Sequence, residues 1–248
     1  MANDIFFISV FGTIMGIIGT GLGGIIGCFI KNTSNKVSSA FLQLSAGVMT
    51  SVVCFDLLPE GFKLANMKIT LIGFIFGVLT LLVTEDIIRR LQRKTSKNTG
   101  ENKKLFRVGF LIFIGIMLHN LPEGLAIGAG FGVSMHMGIT LAIVIALHDV
   151  PEGIAIALPL RKAGTGFFKA AGLAFLSGVP TGIGALIGAL VGGISEATIG
   201  ISLGFAGGAM LYIVSGELIP ESRDMYKGRF SVLAYIVGFI AGILVTSL

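Results

Sequence analysis

His119–Gly128 reads HNLPEGLAIG, and His148–Ala157 reads HDVPEGIAIA. Histidine, then an amide or carboxylate, then proline and glutamate recur in the same order inside two long runs of Leu, Ile, Ala and Gly. In each copy the histidine and the glutamate stand four residues apart, so on a helix they share a face. The flanking runs are too long for strands and lack two-residue alternation, which makes them helical in a setting without water for the backbone. Composition agrees. Of 248 residues 54% are hydrophobic and 12% charged, against about 25% charged in a soluble domain, and the mean hydropathy is +0.93.

A hydrocarbon core about 30 Å thick needs roughly 20 helical residues. Eight stretches qualify: 5–30, 37–62, 67–90, 105–131, 135–160, 165–192, 196–220 and 229–248. The expected fold is therefore an all-α membrane protein with eight transmembrane helices. Loops after the first, third, fifth and seventh spans carry 16 of the 18 basic residues, leaving Lys63 and Lys68 opposite. The positive-inside rule then places those loops in the cytoplasm and both termini outside, in a multi-pass protein of the cell (plasma) membrane. The net charge of +5 reads as a topology signal and not as a nucleic-acid patch. The start, MANDIFF, lacks a basic segment and a cleavage site, so the first span is expected to be retained. Residues 91–104 are expected to form a mobile cytoplasmic loop.

Thr20–Gly27, TGLGGIIG, matches Thr181–Gly188, TGIGALIG, at five of eight positions. The same offset of 161 aligns Ala46–Gly61, AGVMTSVVCFDLLPEG, with Gly207–Ser222, GGAMLYIVSGELIPES, and sets Asp56 on Glu217. The third and eighth spans add Ile75/Ile236 and Gly77/Gly238. Spans five crossings apart run in opposite directions, so the repeat is inverted. The chain reads as one domain in a 3+2+3 arrangement: repeat 1 over about 5–90, a central pair over 105–160, and repeat 2 over about 165–248. Inverted repeats with a midplane site characterise secondary transporters; a duplicated scaffold without transport is the alternative.

His119, Asn120, Glu123, His148, Asp149 and Glu152 fall near the middle of the fourth and fifth spans. Such a set costs several kcal/mol in hydrocarbon unless it pairs or binds a cation. Its nitrogen and oxygen donors suit Zn(II), Fe(II), Mn(II) or Co(II), and the lack of thiolate argues against Cu(I). An internally satisfied packing network is the competing reading. Pro122 and Pro151 are expected to loosen the helices, and Gly124 and Gly153 to bring the two helices together. Met49 with Asp56, and Met210 with Glu217, stand seven apart on common faces, as candidates for a cation pathway; the methionines fit core packing equally well. Glu60 and Glu221 lie nearer the span ends. His136 is expected in a solvated loop and Glu196 at a helix start. Cys28 and Cys54 read as packing residues.

The paired HNLPEG and HDVPEG motifs resemble the ZIP (Zrt-, Irt-like protein) family of divalent-metal transporters, and the likeness covers nearly the whole chain. The resemblance implies eight helices in a 3+2+3 order, external termini, and a metal site between the fourth and fifth helices. It implies metal binding by His119, Asn120, Glu123, His148, Asp149 and Glu152, and a route lined by Met49, Asp56, Met210 and Glu217. Zinc, iron, manganese or cadmium would be carried inward as substrate, not held as a cofactor, by an elevator-like shift of one bundle against the other. Many prokaryotic members carry Glu-Pro after Ser-Gly in the sixth helix, where the Glu completes a second metal site. Here SGVPTGIG sets Thr181 and Gly182 there, so one tight site with a weaker neighbour is expected, with Thr181 beside the route. The 91–104 loop holds no histidine, which removes a metal-handover role for it.

Two rival functions remain at this stage. An intramembrane zinc hydrolase needs HExxH, which is absent, and an open coordination position for water. A carrier of organic cations needs an aromatic-lined cavity, whereas the central motifs hold no aromatic residue and the chain no Trp. The expected partners are divalent metal ions and the lipid bilayer, with no nucleic acid; a homodimer is among the assemblies the sequence admits.

Overall fold

A computed structural model describes residues 2–30, 34–94 and 101–246, and every regular element among them is helical. In chain order these are α1 (Ala2–Phe29), α2 (Asn35–Val52), α3 (Leu58–Ala65), α4 (Met67–Lys94), α5 (Glu101–Val133), α6 (Met135–Lys162), α7 (Phe167–Ser177), α8 (Val179–Gly192), α9 (Glu196–Ile213), α10 (Ile219–Met225) and α11 (Arg229–Thr246). Seven helical runs are long and apolar enough to cross a membrane, and the apolar stretch of α11, Arg229–Val245, is shorter. Helix continues into both flanks of the expected 91–104 loop, to Lys94 and from Glu101. Residues 95–100, and with them Lys97, lie outside the described residues, as does Lys31.

Three spans depart from the uniform α-helix expected of them, each for a reason of hydrogen bonding. The sixth span breaks at Gly178 into α7 and α8. Pro180 has no N–H for the carbonyl of Leu176, so the ladder stops there. The second and seventh spans each contain a π turn, Val53–Leu57 between α2 and α3 and Val214–Leu218 between α9 and α10. An α ladder would require Pro59 and Pro220 to donate to Phe55 and Gly216, which prolines cannot do. The wider turn bypasses this: Leu58 N–H reaches Val53 O, and Ile219 N–H reaches Val214 O. The two π turns fall on one another at the offset of 161. By contrast, Pro122 and Pro151 interrupt neither α5 nor α6. Asn66, at φ 74°, turns the chain between α3 and α4, and its Oδ1 accepts from the amides of Lys68 and Ile69.

Packing follows the same internal symmetry. α1 lies on α6 as α8 lies on α5, and α2 lies on α11 as α9 lies on α4. The equivalences reach single atoms. A Cβ on Gly153 would come 1.9 Å from Thr20 O, and one on Gly124 would come 1.9 Å from Thr181 O. Gly77 faces Phe205 O as Gly238 faces Leu44 O, each at 2.1 Å from an added Cβ. Gly124 and Gly153 thus seat α5 on α8 and α6 on α1, a correction to the expectation that they join the central pair to each other.

These backbone-to-backbone seams sort the helices into two groups. One contains α1, α5, α6, α7 and α8; the other contains α2, α3, α4, α9, α10 and α11. Among the described residues, every glycine whose added Cβ would come within 3.0 Å of another helix meets it inside its own group. The groups touch where α5 lies on α9 and α2 on α6. Among the seven long apolar runs that of α6 is the most enclosed and that of α4 the least, with 78% and 22% of their windows buried. The histidine-bearing α6 is therefore the axis of the molecule, and the apolar side chains of α4 and α11 face outward, Phe76 and Leu233 among them.

Candidate metal centre

α5 and α6 carry His119, Asn120, Glu123, His148, Asp149 and Glu152, all of them buried. Donor atoms of Glu123, His148, Asp149 and Glu152 lie within 4.8 Å of one another. A cation coordinated tetrahedrally at about 2.1 Å sets its donors about 3.4 Å apart, so the widest pair must close by up to about 1.4 Å to complete this shell. His119 adjoins it, with Nε2 3.3 Å from Glu152 Oε2. That approach is near enough for an ion pair but misaligned for a hydrogen bond, and His119 Nε2 has no hydrogen-bond partner.

Backbone contacts aim several of these side chains. His148 Nδ1 lies 3.2 Å from Val144 O, one turn back on its own helix, which directs Nε2 into the cluster, 2.8 Å from Glu123 Oε1. A ring nitrogen anchored to a carbonyl fixes the tautomer that leaves the other for metal. Asn120 Nδ2 donates to Ser177 O at 2.8 Å, at the last residue of α7 before the break. Its Oδ1 is thereby turned the other way and has no partner. Glu123 Oε2, both oxygens of Asp149, both oxygens of Glu152 and Thr181 Oγ1 are likewise buried without a hydrogen bond. Buried acceptors in this number are costly unless a cation satisfies them.

Two cavities flank the cluster. The first, about 390 Å³, runs from His119 and Glu152 past Gly115, Gly216 and Glu217 to Glu221 and Asp224, with Glu85 in its wall. The second, about 530 Å³, is lined by Phe55, Asp56, Glu60, Lys63, His136 and Leu141 and reaches none of the six central residues. The offset of 161 superimposes their walls, setting Asp56 on Glu217, Glu60 on Glu221, Phe55 on Gly216 and Lys63 on Asp224. Shifting one central motif onto the other sets Gly115, which has open space around it, on Val144, which is buried. Small residues open one half of the molecule to its centre, and large ones close the other.

The remaining sequence candidates divide accordingly. Asp56 and Glu217 each line a cavity, whereas Met49 and Met210 are fully buried in the hydrophobic core. Thr181 is buried too, its Oγ1 2.5 Å from where a Cβ on Gly16 would sit. His136, expected in a solvated loop, is part of the second cavity wall, and Glu60 there pairs with Lys63 at 3.1 Å. Cys28 is buried but Cys54 faces outward, so only Cys28 packs as expected. Sequence reading passed over Glu85, whose carboxylate accepts a hydrogen bond from Tyr212, and Asp224. Both sit at the ends of apolar runs, where acids are commonplace.

A family model described as ZIP zinc transporter matches residues 91–248, which include both motifs and the whole second repeat. The chain belongs to the ZIP family. Zinc transporter GufA of Myxococcus xanthus is 32% identical over 232 residues, spanning 89% of this chain and 91% of that protein. Zinc transporter ZupT of Chlorobium chlorochromatii is 31% identical and spans 90% of both chains. Zinc transporter ZIP11 of Xenopus tropicalis is 43% identical over 137 residues, 52% of this chain and 41% of its own. This ZIP protein is thus a multi-pass membrane transporter and not an enzyme, with metal as its cargo and not a cofactor.

A cation held by these atoms would compete with protons for them, since the His148 Nε2 that faces Glu123 would have to be free of its proton to coordinate. Because imidazole and carboxylate must be deprotonated to coordinate, acidification disfavours the loaded state. Metal affinity, measured by calorimetry in detergent, is expected to fall steadily from about pH 7.5 to about pH 5.5. A flat profile over that interval would mean that these side chains are not the ligands.

Proposed function

We propose that this ZIP protein carries divalent transition-metal cations, zinc foremost and iron, manganese and cadmium with it, across the cell membrane into the cytoplasm. The cation binds between α5 and α6 on His119, Glu123, His148, Asp149 and Glu152, with Asn120 Oδ1 beside them. The observation that carries this reading is a buried cluster of carboxylate oxygens without hydrogen bonds, opening into a cavity toward one end of the molecule. That end bears Arg223, Lys227 and Arg229, which by charge bias is the cytoplasmic one, so the arrangement is inward-facing and both termini are external. Zinc is favoured because the relatives above are named zinc transporters and because two imidazoles with carboxylates suit it.

The proposed architecture is eight crossings in a 3+2+3 inverted repeat, with residues 91–104 on the cytoplasmic side. The coincident π turns, the matched glycine seams and the paired helix contacts support it. Transport then consists of a shift of the group holding α5 and α6 against the other, since the closest backbone seams lie within the groups and not between them. Asp56 on the outer side and Glu217 on the inner side stand along the route. Thr181 offers a hydroxyl where a carboxylate would build a second strong site, so one cation is held tightly and a neighbour weakly.

The test is uptake of Zn(II), Fe(II), Mn(II) and Cd(II), supplied singly and in competition, into proteoliposomes of known protein orientation. Saturable uptake with zinc preferred is the expected result. Uptake of none of the four by folded protein would sink the reading. Carriage of an organic cation independent of metal would replace it.

A further inference from the structure

We propose that Ser45 is a latch that holds the inward-facing arrangement, by a hydrogen bond to the backbone of a metal-binding residue across the seam between the two helix groups. This rests on the transport reading above and adds to it a positioning residue that touches no cargo. Ser45 Oγ lies 2.9 Å from His148 O, with both residues buried. Hydroxyls inside helices ordinarily turn back to their own chain, and here Thr13, Thr20, Thr50, Thr80 and Thr84 each donate to the carbonyl four residues earlier. Ser45 instead leaves its own helix, α2, and donates to α6 in the other group.

The location gives that bond its consequence. The interhelical hydrogen bonds of Ser39 with Ser222 and Ser231, and of Tyr235 with Thr50, stay inside one group. Those of Ser9 with Gly182 O and Asn120 with Ser177 O stay inside the other. They survive when one group moves against the other, whereas the bond from Ser45 must break. The internal repeat supplies the counterpart: the offset of 161 sets Ala206 on Ser45, and the motif offset sets His119 on His148. Ala206 is fully buried and has no hydroxyl. The mirror-image, outward-facing arrangement therefore lacks an equivalent bond. Of two otherwise matched states, one carries a hydrogen bond the other cannot form.

A test uses the full chain in proteoliposomes, with Cys28 and Cys54 replaced by alanine and one reporter cysteine added. Gly115→Cys reports inner opening and Val144→Cys, its counterpart by the motif offset, reports outer opening, each read as the labelling rate with a membrane-impermeant maleimide after chelation. Ser45→Ala is expected to slow labelling at position 115 and speed it at position 144. The ratio of rates should fall about two- to tenfold, the worth of one hydrogen bond. Ala206→Ser, which adds the missing hydroxyl, is expected to move the ratio the same way by favouring the outward state, and it stands as a second test if Ser45→Ala folds poorly. An unchanged ratio in both variants, or rates at both positions rising or falling together, overturns the latch. Zinc uptake by the reporter-free chain is measured alongside. If that uptake is present while the ratio stays fixed, only the latch fails; if it is absent, the transport reading fails first.

Discussion

Zinc uptake by Glu152→Ala is expected to fall at least about 100-fold, since loss of a residue that merely supports a metal ligand already costs about 10- to 100-fold. Both oxygens of Glu152 are buried without a hydrogen bond, it belongs to the four-residue donor cluster, and it is the neighbour through which His119 joins. Removing it takes away a charge and two donor atoms and leaves His119 without its nearest acid. His119→Ala is expected to do less, about tenfold, because His119 stands beside the compact donor set and not within it. Initial rates of radiolabelled zinc uptake, normalised to folded protein, check both values. A Glu152→Ala protein that transports at close to the wild-type rate would remove the central cluster from the route.

Gly153→Ala and Gly124→Ala are expected to be as damaging to folding as Glu152→Ala is to transport. In each, one methyl group would sit 1.9 Å from a backbone oxygen, Thr20 O or Thr181 O. No rotamer relieves this contact, because both partners are helix backbone. α1 must leave α6, or α8 must leave α5, by more than an ångström. Overpacking of that kind costs about 3 kcal/mol or more, which in a chain of this size lowers the melting temperature by about 10 °C. Thermal unfolding in detergent provides the measure. Gly115→Ala is the matched control: nothing lies within 4 Å of its added Cβ, so its melting temperature should stay within about 2 °C of wild type. Equal behaviour of the three variants would contradict the packing described.

Much of this was readable before any coordinates. The apolar runs marked the long helices, and the repeated His-x-x-x-Glu spacing marked six residues that are all buried, five of them close together. What escaped was what depends on neighbours distant in sequence. Nothing in SGVPTGIG says whether Pro180 will bend a helix or end it; the break at Gly178 is completed by Asn120, 57 residues away, which takes up the carbonyl of Ser177. The π turns were hidden for a related reason. Pro59 and Pro220 announce a missing donor, but whether the ladder answers with a kink, a break or a wider turn is decided by packing. Ser45 carried no signal at all, being one serine among several in α2, and only the position of α6 gives it a partner. Glu85 was masked because an acid at the end of an apolar run is usually solvated, whereas here Tyr212 holds it in a cavity wall.

The unequal cavities bear on a thermodynamic point. A carrier without a coupled energy source obeys a Haldane constraint: with equal metal on both faces its net flux is zero, however its two mouths differ. Replacing Phe55 by Gly216 and Lys63 by Asp224 across the pseudo-symmetry therefore cannot make the protein a pump. What the substitutions can do is set different half-saturation concentrations on the two faces, with the maximal rates adjusting in compensation. One mouth that sets Lys63 among its acids and an opposite mouth lined by Glu217, Glu221 and Asp224 describe a valve whose sensitivity to supply differs between its two sides, while the gradient alone decides which way the metal runs.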